Sequence, residues 1–258
     1  MKLLRCLAVS FSLYSKIPMP RFEWKDEDYR ESLIFFPVVG LIIGALVIAI
    51  NELPFMKIVP VAVRIILTIL VPIIVTGGFH LDGFMDTSDA LSSYAEKERR
   101  LEILSDPHIG AFSVIALIKW LLIDAGAVTA IILNEKSDVK VMLIYGLSFV
   151  ISRALCGLTS ILYEKARKNG MLYEETKYSG RGKVIVLSLW LVVGVVLMLC
   201  MSTFRGLLIC LALAAYTFFY RRMALDRFGG VTGDTAGFYL TVSETIAAVV
   251  LAISLYIF

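Results

Sequence analysis

Charge is scarce in this chain. Asp, Glu, Lys and Arg make up 18% of its 258 residues, against about a quarter in an ordinary soluble domain. That shortage argues against a single water-soluble globule and against a disordered chain, which combines high charge with low apolar content. The charge that exists is nearly balanced, 25 basic against 22 acidic residues, so nothing marks the chain as a nucleic-acid binder. Cysteine is equally sparse. Cys6, Cys156, Cys200 and Cys210 include no CxxC pair; an extracellular disulfide scaffold is excluded, and the cysteines read as small packing residues. The basic, apolar start from Met1 to Tyr14 lacks a small-residue cleavage site, since Lys16, Pro18 and Pro20 follow. An uncleaved interfacial helix is expected there rather than a signal peptide. No periodic repeat is present.

Apolar residues, by contrast, reach 59%. They gather in runs at about 34–51, 59–78, 110–133, 139–162, 184–203, 206–220 and 238–258. Runs of roughly 20 apolar residues are read as membrane helices, because only a helix satisfies its own backbone in lipid. The expected fold is therefore all-α, a polytopic membrane bundle of about seven transmembrane helices forming one domain over 1–258, with 1–33 as an interfacial segment. The pair within 184–220 reads either as a hairpin of two spans or as a partly re-entrant element. The segments 1–33, 79–109, 163–183 and 221–237 hold 18 Lys and Arg residues, against four in the alternate loops and their edges. By the positive-inside bias the amino terminus is cytoplasmic, the protein is a multi-pass cell-membrane protein, and the loops 79–109, 163–183 and 221–237 share the cytoplasmic face.

Those loops carry the chemistry. In Thr76-Gly77-Gly78-Phe79-His80-Leu81-Asp82-Gly83-Phe84-Met85-Asp86-Thr87-Ser88-Asp89, a helix over 80–93 would place Asp82, Asp86 and Asp89 at i, i+4 and i+7, on one stripe. Like charges so placed repel, and a hard divalent cation, Mg²⁺ or Mn²⁺, relieves that repulsion while also binding phosphate. The plainer reading is a solvated amphipathic helix capped by Asp82. His80 is a neighbouring ligand-orienting group, a base, or a structural hydrogen-bonding residue.

A second segment, Asp226-Arg227-Phe228-Gly229-Gly230-Val231-Thr232-Gly233-Asp234-Thr235-Ala236-Gly237, is glycine-rich enough for close backbone approach to a phosphate, although it is neither a Walker A nor a Rossmann pattern. A flexible turn explains it equally well. Lys119 and Arg153 lie about nine residues inside their runs, roughly 14 Å deep at 1.5 Å per residue. A cation at that depth faces a partner or a wet cavity: an anionic phosphate, or, for Lys119, Asp124 or the interface by snorkelling. The loop 163–183 carries six basic residues, which either guide a polyanion or simply anchor the chain.

Taken together, the acidic segment, Ile109-Gly110-Ala111-Phe112 and Gly230-Val231-Thr232-Gly233-Asp234-Thr235 resemble the cobalamin synthase family, also called adenosylcobinamide-GDP ribazoletransferase. Ile17-Pro18-Met19-Pro20, Phe36-Pro37-Val38-Val39-Gly40 and Ser152-Arg153 are similar to it as well, and the order of motifs is kept along nearly the whole chain. Two positions depart from the family pattern: His108 stands where an Arg is expected, and no second acid accompanies Glu244 near Thr241. The resemblance implies a Mg²⁺-dependent transferase that joins α-ribazole or its 5′-phosphate to adenosylcobinamide-GDP and releases GMP. On that reading Asp82, Asp86 and Asp89 bind the metal, and Asp86 or His80 accepts a proton. Arg153, Lys165, Arg167, Asp106, Gly230, Thr232, Gly233 and Asp234 contact substrate. The expected partners are the two substrates and the lipid bilayer, with no nucleic acid; self-association or association with other cobalamin-assembly enzymes is also expected. Other readings of the same residues are a CDP-alcohol phosphotransferase, which expects an Ala-Arg pair where Phe84-Met85 stands, a membrane prenyltransferase, which expects a second acidic motif, and a transporter using Lys119, Asp124 and Arg153.

Overall fold

The computed structural model describes residues 2–257. Met1, from the expected interfacial segment, and Phe258, which ends the last apolar run, lie outside them. Among the described residues the secondary structure is helical, apart from one isolated parallel bridge between Lys165 and Val231. The chain begins with α1 (Lys2–Tyr14), whose Cys6, Val9, Phe11 and Tyr14 are buried while Leu3 and Leu4 stay exposed. Arg5 ties α1 to the short α2 (Asp26–Glu31) through a 2.7 Å ion pair with Asp28.

Each apolar run forms a helix. These are α3 (Phe36–Glu52), α4 (Val61–Thr76), α7 (Ala111–Leu133), α8 (Val139–Leu162), α10 (Arg181–Met201), α11 (Thr203–Phe228) and α12 (Gly233–Ile257). Among the described residues six helical stretches are long and apolar enough to cross a membrane, and a seventh span results if α4 and the helix that follows it count as one broken span. The stretch 184–220 resolves into two full helices with a break at Ser202, whose Oγ accepts from the Arg205 N–H at 3.4 Å. Helices α11 and α12 run past the expected runs 206–220 and 238–258 toward each other. Apolarity marks only the lipid-facing length of a helix, whereas its end is set by a cap, here Gly229 at φ 77°.

Helix α8 is the central element, buried nearly along its whole length, while α7, α10 and α11 present rows of exposed apolar side chains such as Ile118, Leu122, Val192, Val196 and Leu211. Small residues set how closely helices approach in such a bundle. Gly40 and Gly44 form a Gly-x-x-x-Gly face on α3, and Gly146 answers it on α8; a Cβ on Gly44 would lie 2.9 Å from the Gly146 Cα. The elements that carry the acidic row turn away from this bundle. Gly77 and Gly78 both adopt left-handed φ, 68° and 79°, and their N–H groups return to the carbonyls of Ile74 and Ile73, a Schellman close that ends α4. The next helix, α5 (Phe79–Ser92), leaves at 92° to α4. At 16 residues and about 1.5 Å per residue, α4 covers roughly 24 Å; α5 turns across its end, packs Phe84 against Trp120 of α7 and leads to α6 (Lys97–Ile103).

Substituting Gly44→Val should force α3 and α8 apart and destabilise the fold by about 1–3 kcal/mol, the usual cost of overpacking a closed interface. Thermal unfolding in detergent micelles reads this, and an unchanged midpoint would show that the α3–α8 contact is looser than described.

Candidate active site

The acidic helix is locked against the start of α12 by glycine. A Cβ on Gly83 would meet the Asp234 Cα at 2.9 Å, and one on Gly237 would meet the His80 carbonyl oxygen at 2.9 Å. Thr241 Oγ1 adds a hydrogen bond to the same His80 carbonyl at 3.3 Å. The position that departs from the family pattern thus fastens α5 to α12. This docking brings Asp82, Asp86 and Asp89 beside Asp234, far away in sequence. Burial and then the negative charges of Asp82, Asp234 and Asp89 push the Asp86 carboxyl up to about 6. The carboxylate of Asp89 rests over the Cα of Gly110, so the Ile109-Gly110 turn at the head of α7 packs directly on the acidic row.

The glycine-rich loop is built by the same device as the α4 end. Gly229 and Gly230 have positive φ, 77° and 150°, and close α11 on the carbonyls of Leu225 and Ala224. Val231 then pairs with the loop after α8: its N–H donates to the Glu164 carbonyl at 2.7 Å, and the Ala166 N–H donates to its own carbonyl at 3.1 Å. Thr232 and Thr235 form a reciprocal cap, with the Thr232 N–H donating to Thr235 Oγ1 at 2.8 Å and the Thr235 N–H to Thr232 Oγ1 at 3.2 Å. Thr232 therefore spends its hydroxyl starting α12.

The bridge places Lys165 and Arg167 opposite Gly233 and Asp234, around a cavity of about 280 Å³ that Phe79, Gly170 and Tyr173 also line. Burial lowers the Lys165 ammonium to about 8 while its Nζ donates to the Tyr163 carbonyl at 2.8 Å. Arg167 donates to Ser105 Oγ at 2.7 Å and to the Leu101 carbonyl; both partners are neutral, so its charge remains available. A second cavity of about 430 Å³ lies on the other side of Phe79, with Asp82 in its wall. A larger space of about 640 Å³ between α5, α7 and α12, lined by Phe112, Trp120 and Val249, is mostly apolar apart from Ser88, Ser92, Lys119 and Thr245 and has no acid among its described lining residues.

Three sequence candidates stand apart from the acidic row. Arg153 is 1% exposed; it pairs with Glu244 of α12, donates to the Phe149 carbonyl at 3.1 Å and lies 5.6 Å over the Phe36 ring. Its charge is already used inside the bundle. Asp106 is in the exposed turn before α7, where its Oδ1 accepts from the His108 N–H at 3.0 Å and meets His108 Nδ1 at 2.6 Å. His80 is buried among Tyr14, Phe36 and Phe79, with ring centroids 6.5, 5.4 and 5.4 Å away. Burial, then the positive Arg153, depress its imidazole to about 3, which leaves it neutral and a weak base near pH 7.

One group escaped the sequence reading. Glu175, in the short helix α9 (Met171–Thr176), is 1% exposed. It accepts from Tyr14 OH at 2.5 Å and from Ser32 Oγ at 2.9 Å. It thereby pins the basic loop to α1 and to the entry of the first span. A lone Glu among loop charges gives no periodic or motif signal.

Comparison with known proteins identifies the chain. It matches the cobalamin-5-phosphate synthase family over residues 6–252. The chain belongs to this family. Among its relatives, a protein of Lachnoclostridium phytofermentans named adenosylcobinamide-GDP ribazoletransferase is 37% identical over 256 residues, covering 98% of this chain and 95% of the relative. Proteins of the same name from Clostridium perfringens (strain 13 / Type A) and Pseudomonas syringae pv. syringae are each 32% identical, covering 96% and 88% of this chain and 98% and 90% of the relatives. No solved structure matches the chain.

The Glu175 carboxyl, pushed by burial to about 7 from an ordinary 4.5, holds its proton more tightly folded than unfolded. Its favourable share of stability is full below about pH 4.5 and is lost as pH rises through 7. The Tm of the native protein should fall more steeply between pH 5 and 8 than that of Glu175→Gln; parallel profiles would refute the burial assigned to this group.

Proposed function

We propose that the chain is a Mg²⁺-dependent transferase that joins α-ribazole, or its 5′-phosphate, to adenosylcobinamide-GDP with release of GMP. The observation that carries this reading is the meeting of the acidic row of α5 with Asp234 and with the cations of the bridged loop, around one pair of cavities. Membership in the family and the names of the relatives support the substrate class.

The donors fit a hard cation. Burial and then the crowding of Asp82, Asp234 and Asp89 lift Asp86, and a divalent ion would relieve the crowding. Among the described residues no three His, Cys, Asp or Glu side chains converge as a complete metal cage. Mg²⁺ rarely asks for one, since it binds through one or two carboxylates and completes its shell with water and substrate phosphate. Asp82 and Asp86 are the residues assigned to it, with Asp89 beside them; when bound, such an ion offsets charge developing on the transferred phosphoryl group.

The reaction is an in-line substitution. A ribazole hydroxyl oxygen forms a bond to the phosphorus attached to cobinamide, the bond from that phosphorus to the bridging diphosphate oxygen breaks, and GMP departs with the bond electrons. Lys165 and Arg167 face the leaving phosphate. The hydroxyl proton passes to a carboxylate, and Asp86 is better suited than His80: it belongs to the acidic row and titrates near 6, whereas His80 is enclosed by aromatic rings and titrates near 3. Arg153 keeps α8 and α12 together. The basic bias of the loops supports a cell-membrane protein with this site on the cytoplasmic side, and self-association or contact with other cobalamin-assembly enzymes belongs to the same proposal.

Purified protein in lipid vesicles should release GMP from adenosylcobinamide-GDP only when ribazole is added, lose that release on chelation and regain it with Mg²⁺. Asp82→Ala should lower turnover by about 10³-fold or more while membrane insertion stays intact. Turnover at the native level in that variant would remove the metal assignment, and ribazole-independent GMP release would remove the transfer reaction.

A further inference from the structure

The second cavity is built around a cation that the reaction as described does not use. Its wall comprises Ser12, Leu13, Ser15 and Lys16 from the end of α1 and the turn after it, Thr76 to Phe79 from the α4–α5 corner, and Leu81, Asp82 and Met85 from α5. Lys16 is held at that corner. Its N–H donates to the Val75 carbonyl at 2.7 Å, and its aliphatic stem lies across Gly77, where a Cβ would meet its Cδ at 3.0 Å and its Cγ and Cε closer still. Only a residue without a side chain both accepts φ 68° and leaves room for that stem. The ammonium itself has no hydrogen bond or ion pair among the described residues. An exposed lysine whose stem is fixed and whose ammonium has no protein partner, at the rim of a 430 Å³ cavity, is arranged to receive an anion.

We infer that this cavity is the binding site of the ribazole substrate and that Lys16 holds its 5′-phosphate. This rests on the transfer reaction proposed above. Two observations separate the two cavities by ligand. The Lys165–Arg167 cavity presents two cations, matched to a diphosphate, whereas Lys16 is the one cation lining the other, matched to a monophosphate. Both cavities have an apolar wall, and in this one Leu13, Phe79, Leu81 and Met85 offer a face for a flat aromatic base. Phe79 lines both cavities, Asp82 is in one wall and Asp234 in the other, so the two substrates approach the acidic row from opposite sides, as in-line substitution requires. The family name, cobalamin-5-phosphate synthase, is consistent with an incoming nucleoside that keeps its phosphate.

Full-length protein in phosphatidylcholine vesicles is treated with an amine-acylating reagent and modification of Lys16 is followed by mass spectrometry, with the lipid phosphate present in every arm. α-Ribazole 5′-phosphate should slow acylation of Lys16 at least fivefold, with free α-ribazole slowing it less than twofold and GDP or inorganic phosphate leaving it unchanged. Protection by GDP, equal protection by both ribazole forms or by inorganic phosphate, or no protection overturns the assignment. This readout needs no turnover, so it fails or succeeds separately from the reaction. In the kinetic arm Lys16→Gln should raise KM for the phosphorylated ribazole by about 10- to 100-fold, with KM for adenosylcobinamide-GDP and for free ribazole within twofold of native, and Lys16→Arg should restore most of the loss. A rise in KM for the GDP substrate instead, or equal rises for both ribazole forms, overturns it.

Discussion

The close approach of α5 to the first turn of α12 is the constraint on which the rest depends. At Gly83 and Gly237 the two backbones are separated by less than a side chain would need, and that contact alone unites acids that lie about 150 positions apart in sequence. Without it Asp82, Asp86 and Asp89 would be a solvated stripe on an amphipathic helix. With it they share a field with Asp234, which the bridge between Val231 and Lys165 in turn connects to the basic loop. Repulsion within the cluster is sustained by packing energy supplied elsewhere, chiefly by the glycine-mediated contact of α3 with α8 and by the buried length of α8.

Two buried ionic groups outside the acidic row show how the scaffold is held. Arg153 and Glu244 join α8 to α12 through a pair in which Arg153 is buried and Glu244 16% exposed; a buried pair gains little net stability, but removing one partner leaves an uncompensated charge and typically costs about 3–5 kcal/mol. Glu175 plays the corresponding part at the bundle end, accepting from Tyr14 and Ser32. Both fix the orientation of elements that border the cavities without entering them.

Much of this was legible in the sequence, and the exceptions have physical reasons. Apolar runs located every long helix because lipid burial demands uninterrupted apolarity, yet they misplaced the inner ends of α11 and α12, where the helix continues to a cap beyond the apolar length. The spacing of Asp82, Asp86 and Asp89 predicted a helical stripe, and α5 is helical through all three. The spacing could not reveal the 92° bend that lays this helix across the bundle, although the Gly77-Gly78 pair, repeated as Gly229-Gly230, was its local signature. Single residues were harder. Arg153 looked like a phosphate ligand because a cation in an apolar run needs an anion, and sequence cannot say which; the anion is Glu244. Thr232 sat in a loop that suggested ligand binding; its hydroxyl caps α12, and the residue also lines the cavity of Lys165 and Arg167. Lys16 was visible only as the residue that spoiled a cleavage site, since nothing in its neighbourhood predicts that its stem will cross a left-handed glycine.

The parallel bridge also bears on how this architecture can vary. Two backbone hydrogen bonds clasp the strand-like ends of segments that enter from different helices, so neither segment can lengthen on the near side of the clasp without dragging the other out of register. A residue added between Glu164 and Ala166, or between Gly230 and Thr232, would part these hydrogen bonds and carry Lys165 and Arg167 away from Gly233 and Asp234. The spacing of cations and acid across that cavity is therefore a property of two short backbone segments held in register, not of the long helices on either side.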